Sequence, residues 1–148
     1  AYVTMGAAEA WALHGAWILK QQPTFSAPIA TRWAQAQTVT AEQAQAAQNT
    51  VAEIRAHVRA ILGDDAIAIV PSAAGLAPLL NESGDAVDQL RMRTMHITCV
   101  AGISGVCQVS IPLKNSAGVP VGVSLMGPAG CDLALIRLAS TLSSTLAG

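Results

Sequence analysis

Cys107-Gln108-Val109-Ser110-Ile111-Pro112-Leu113 and Val119-Pro120-Val121-Gly122-Val123-Ser124-Leu125-Met126 are the two runs whose reading decides the fold. In the second, Val119, Val121, Val123 and Leu125 alternate with Pro120, Gly122 and Ser124, the two-residue period of a strand. The polar residues Lys114–Gly118 lie between the runs and end in glycine, which predicts an antiparallel hairpin. Downstream, Gly127-Pro128-Ala129-Gly130 breaks the chain and Asp132 can cap a last helix striped by Leu135, Leu138, Leu142 and Leu146. Upstream, Asp85 or Asp88 can start a helix running to about Val100, with Gly102 and Gly105 ending it. Ala66-Ile67-Ala68-Ile69-Val70 is a short apolar run stopped by Pro71, expected as a strand buried on both faces. Pro71–Gly84, rich in Pro, Gly and Ser, is expected as a loop.

Further upstream, Thr40-Ala41-Glu42-Gln43 has the form of a capping box. Ala44, Ala47, Val51, Ile54, Val58 and Ile61 then follow at steps of three and four, one stripe of a helix that Gly63 ends. Gln45, Gln48, Glu53 and Arg59 read as its solvated face, and Glu53 with His57 as an exposed i,i+4 pair. Glu9–Lys20 is expected as a helix with Trp11, His14 and Trp17 on one face, and Pro23 and Pro28 as extended or turning chain through Ile29. The order helix, helix, strand, helix, strand, strand, helix predicts an α/β fold with a mixed sheet, forming one domain or one piece of a larger one.

Composition narrows the function. The 148 residues carry 8 basic and 9 acidic side chains, which leaves no electrostatic footprint for nucleic acid or an anionic membrane. Charged residues make up only 11% while hydrophobic ones reach 52%, which excludes disorder and implies a surface covered by something else. The 29 alanines account for part of that imbalance. The uncharged stretches Thr94–Leu113 and Asn115–Cys131 are too broken by Gly, Pro, Ser and Gln to span a bilayer. Ala1-Tyr2-Val3 reads as a chain begun in mid-course, with no secretory leader pattern. Cys99, Cys107 and Cys131 lack metal-ligand spacing and read as reduced, mostly buried thiols of a cytoplasmic protein; a nucleophilic Cys107 would need a base from His14, His57 or His96.

No complete active site is spelled out, and no cofactor or metal is implied. There is no GxSxG, P-loop, HExxH or dinucleotide fingerprint. Asp64-Asp65 and Asp85/Asp88 read as turn and cap residues, and His96 as a satisfied core histidine.

Several separated blocks nevertheless resemble one family. Gly102-Ile103-Ser104-Gly105-Val106-Cys107-Gln108-Val109-Ser110-Ile111-Pro112-Leu113, then Gly118-Val119-Pro120-Val121-Gly122-Val123-Ser124-Leu125-Met126-Gly127-Pro128, then Asp132, resemble the C-terminal pattern of the amidase signature family. Asp65–Pro71 resembles that family's buried strand. The wording from Ala101 to Leu113 and from His14 to Ile18 is similar to plant-type amidases acting on indole-3-acetamide. Ser104 stands where most of the family has Pro, and Ser72 where it has Thr.

The resemblance implies the C-terminal part of a layered α/β/α fold. It implies hydrolysis of a carboxamide to a carboxylate and ammonia through an acyl-serine. The family's Ser nucleophile, second Ser and Lys base lie in a Gly/Ser-rich segment and an earlier helix, and nothing like Gly-Gly-Ser-Ser-Gly-Gly occurs in the 148 residues. No catalytic residue is therefore expected here, and the chain alone is expected to be inactive. Residues 1–148 would be a single C-terminal portion whose Ser72, Ala73, Met95, Cys99 and Ile103 face one acyl cavity. Its partners would be a small-molecule amide and the N-terminal portion of the same enzyme, with a homo-oligomer left open. The alternative is a non-catalytic interaction module or subunit, such as a relative of the transfer-RNA glutamine amidotransferase amidase subunit.

Overall fold

A computed structural model describes residues 1–146. Five helices and three strands follow one another in the order α1 (Tyr2–Gln21), α2 (Ala27–Gln37), α3 (Ala41–Leu62), β1 (Ala68–Pro71), α4 (Gly84–Ser104), β2 (Cys107–Lys114), β3 (Pro120–Gly127) and α5 (Asp132–Leu146). They form two compact units, Ala1–Ile54 and a second beginning at Arg55, so that α3 belongs to both. None of the described helices is long and apolar enough to cross a membrane.

In the first unit, α1 starts seven residues before the expected Glu9. An unforeseen helix, α2, begins within the stretch through Ile29 that was expected to extend or turn. Its Pro28 sits in the first helical turn, where a proline lacks no needed N–H and its fixed φ favours the helix. The rings of Trp11, His14 and Phe25 gather 6.0–6.4 Å from Trp33 of α2. Trp17, read on the same face as Trp11 and His14, is exposed, as is His14, while Trp11 is half-buried. The capping box forms as read: Gln43 N–H donates to Thr40 Oγ1 at 3.2 Å, and Thr40 N–H to Gln43 Oε1 at 3.0 Å.

In the second unit, the strand order is β1-β3-β2 with both pairings antiparallel, so the sheet is not mixed. A strand expected to be buried on both faces proves to be an edge strand: β1 leaves Ile69 69% exposed. Pro71 fits there, because an edge strand can forgo one ladder N–H. The hairpin turn is closed by Asn115, whose Oδ1 accepts from Ala117 N–H and Val119 N–H at 3.0 Å each, with Gly118 at φ 76°.

The two sheet faces are covered differently. Ile111 and Leu125 pack against Leu135 and Ala139 of α5. On the opposite face Met126 packs with Leu62 of α3 and Ala101 of α4. In the expected leucine stripe of α5, Leu135 is buried but Leu138 and Leu146 are exposed, and Ala139 takes the inward position.

Helix α4 is capped by Ser83, whose hydroxyl accepts from Ala86 N–H at 3.3 Å, rather than by Asp85 or Asp88. It runs through Gly102 and stops at Gly105, which takes the left-handed conformation at φ 60°. Two arginines of α3 serve its end. Arg55 Nε donates to Ile103 O at 3.0 Å, and Arg59 donates to Ser104 O at 2.8 Å and Gly105 O at 3.1 Å. Cations at a helix C-terminus satisfy its free carbonyls and its dipole. Arg59 is thus a cap and not part of a plain solvated face. His96, expected in the core, is exposed, and Cys99, Cys107 and Cys131 are free and half-buried.

Candidate functional site

A cleft of about 650 Å³ opens where the loop after β1 passes between α4 and β3. The backbone positions it. Ser72 N–H extends the sheet by donating to Gly122 O at 3.0 Å. Two residues later, Ala74 N–H donates to Thr94 Oγ1 of α4 at 3.2 Å, so the loop is tethered at both sides of the opening. Close approach fixes one glycine and crowds a second. A Cβ on Gly122 would lie 2.7 Å from Ser72 Oγ, and one on Gly75 would lie 3.3 Å from Leu90 Cδ1.

The lining is small and apolar: Pro71, the stretch 73–78, Leu90, and Pro120 to Gly122, with Thr94 as the one hydroxyl side chain. It holds no carboxylate, imidazole, thiol or amine. Thr94 is already engaged by the Ala74 amide. Such a surface can enclose an apolar group but cannot supply a nucleophile or move a proton.

Beside the cleft runs a row of hydroxyls of which the sequence reading singled out Ser72 alone. Ser72 Oγ and Ser110 Oγ each lie 2.8 Å from Ser124 Oγ, so the row crosses all three strand positions. Ser124 is fully buried and is satisfied by these two neighbours. The signal lay in strand parity, since Ser124 shares its face with Gly122 and pairs across the ladder with Ser110.

Of the five expected pocket residues, Ala73 lines the cleft and Ser72 stands at its lip, turned to Ser124. The structure does not bring Met95, Cys99 and Ile103 to it. The α4 wall is Leu90 and Thr94 instead, and Met95 follows Thr94 by about 100° around the helix. Met95 and Cys99 are half-buried elsewhere on α4, and Ile103 is buried at the helix end that Arg55 caps.

Other candidate chemistry is accounted for locally. Asp88 pairs with Arg91 at 3.1 Å on the surface. The Asp132 carboxylate beside Cys107 pushes that thiol up from its ordinary pKa, which disfavours a nucleophilic thiolate. Among the described residues, no group of three or more His, Cys, Asp or Glu could hold a metal ion.

Known proteins are similar to this chain in sequence and fold. The family described as Amidase matches residues 12–136. The chain belongs to the amidase family. It is 32% identical over 131 residues to Amidase 1 of Arabidopsis thaliana, covering 88% of this chain and 31% of that protein. It is also 27% identical over 133 residues to the chloroplastic outer envelope protein 64 of the same plant, covering 90% of this chain and 23% of the relative. A crystal structure of an amidase superposes with a TM-score of 0.76 at 18% identity, covering 95% of this chain and 33% of the other, a likeness of fold. The chain therefore spans about a third or less of the length of the proteins it matches.

Proposed function

We propose that this chain is the C-terminal portion of an amide hydrolase, which converts a carboxamide to a carboxylate and ammonia. The observation that carries the reading is a cleft in an amidase-family fold with room for an acyl group and no reactive side chain in its lining. The acyl-serine chemistry belongs to an N-terminal portion holding the Ser, Ser and Lys. This portion contributes a wall of the acyl pocket and the sheet behind it. In this reading Ala73 lines the pocket with Ser72 at its lip, and Leu90 and Thr94 form the α4 wall in place of Met95, Cys99 and Ile103.

Uncovered apolar side chains support the same reading. Leu79 and Leu80, just past the cleft, are 70% and 109% exposed, as is Leu133 of α5 at 71%. Side chains of this size in the open suit a surface that more polypeptide covers. An aryl acetamide such as indole-3-acetamide suits the small, apolar lining.

The test is an ammonia assay. The 148-residue chain should release none from indole-3-acetamide or a simple aryl amide. A longer polypeptide carrying the Gly/Ser-rich segment upstream should turn over both. Turnover by the chain alone that survives repurification would overturn the assignment of the nucleophile to an N-terminal portion.

A further inference from the structure

Two of the three thiols converge at one point of the second unit. Cys107 opens β2, and its ladder partner is Gly127, the last residue of β3. Antiparallel partners stand about 4.5–5.5 Å apart at Cα. Cys131, which immediately precedes α5, places its Sγ 2.9 Å from where a Cβ on Gly127 would be. The missing side chain of Gly127 thus opens a gap that Cys131 enters from one side, with Cys107 facing Gly127 across the ladder. Asp132, which opens α5 directly after Cys131, also acts on Cys107: its carboxylate raises the pKa of that thiol. Both cysteines pack at the rim of the cluster formed by Ile111, Leu125, Leu135 and Ala139. Both are free, half-buried and open to a small reagent, while Cys99 stands apart on α4.

We propose that Cys107 and Cys131 form a dithiol poised to close into a disulfide, a redox modification site that ties the start of β2 to the start of α5. A disulfide requires a Cα separation of about 4.4–6.8 Å, and Cys107 and Cys131 both border the gap at Gly127. The oxidant is a small-molecule disulfide. The Cys131 thiolate attacks one of its sulfurs and expels a thiolate, leaving a mixed disulfide on Cys131. Cys107 then loses its proton to solvent and attacks the Cys131 sulfur, expelling the second thiolate. One S–S bond breaks and one forms. The protein gives up two electrons and two protons, and the reagent is reduced to two thiols. Asp132 keeps Cys107 as a thiol until that second step.

The experiment exposes the folded 148-residue chain to glutathione disulfide, followed by alkylation of remaining thiols and peptide mapping. The expected product has lost two hydrogens, carries no glutathione, bridges Cys107 to Cys131 and leaves Cys99 alkylated. The same reaction in denaturant serves as control. There the shorter loop between Cys99 and Cys107 should dominate, because closing a shorter loop costs less chain entropy. In Cys131→Ser, no bridge should form on folded protein and Cys107 should be either free or singly adducted. The bridged chain should also melt at a higher temperature than the reduced one, since the link removes freedom from the unfolded state. A folded chain that bridges Cys99, that retains separate adducts on Cys107 and Cys131, or that leaves all three thiols alkylated overturns the proposal. So does a bridge that lowers the melting temperature, because it would then be forced on the fold and not held ready by it.

Discussion

The two faces of one small sheet are built on opposite principles. Toward α5, Ile111 and Leu125 are 2% exposed and meet Leu135 and Ala139, so that face is held by apolar area removed from water. The other face begins with Met126 against Leu62 and Ala101, then turns polar and small along Ser124, Ser110, Ser72 and Gly122. There the strands are held by hydroxyl contacts and close backbone approach, and the sheet ends in a cleft. The difference teaches where this unit spends its stability and where it leaves room for a ligand. Large side chains on the second face would close the space that the tethered loop keeps open.

Substitutions can break or sharpen that contrast. Leu125→Ala should cost most, about 3–4 kcal/mol, because it removes a side chain from the one face with a continuous apolar layer. Denaturant unfolding checks it, and a loss below about 1 kcal/mol would mean that α5 is not the main support of the sheet. Gly122→Ala comes next, at about 1–3 kcal/mol from crowding. The new Cβ meets Ser72 Oγ at 2.7 Å and Ser72 Cβ at 2.8 Å. The cost should fall when Ser72→Gly is added, and a double-mutant cycle that shows no coupling would remove close approach as the reason for Gly122. Ser124→Ala should cost least, about 1 kcal/mol, because its two partners are half-buried or exposed and can turn to water. A loss as large as that of Leu125→Ala would make the hydroxyl row a structural centre and erase the contrast between the faces.

Much of this was readable along the chain, and the failures have definite causes. The capping box at Thr40, the stop at Gly63 and the hairpin all depend on residues within a few positions of one another, and they form, the hairpin with its turn one residue later than expected. Pro28 misled because proline breaks a helix from inside but begins one from its first turn, and only the contact with Trp33 and its neighbours shows which case applies. Ala66–Val70 looked buried because apolar side chains do not declare whether another strand lies beside them. The serine row was hidden by one turn. With Lys114–Gly118 as the loop, Ser110 would face Gly122, whereas the Asn115 turn sets it opposite Ser124.

The candidate site divides in the same way. The rule that a loop leaving a strand end borders a ligand space pointed to Ala73, which lines the cleft, and the amidase family could be read from the ordered blocks between Ala101 and Asp132. Met95, Cys99 and Ile103 were chosen for apolar character on the right helix. Which side of that helix meets the loop is fixed by the Thr94–Ala74 hydrogen bond, twenty residues apart in sequence.

By itself, then, the sequence determined the helices with local caps, the hairpin, the family and the lack of a Gly/Ser-rich nucleophile segment, because each is a property of neighbouring residues or of their order. Only the tertiary structure decided the antiparallel order β1-β3-β2, the capping of α4 by Arg55 and Arg59, the hydroxyl row, the wall of the cleft and the meeting of Cys107 with Cys131. The contacts of Arg55, Arg59, the serines and β1 with β3 join residues 14 to 58 positions apart, and no local period or propensity encodes which distant backbone a side chain will meet.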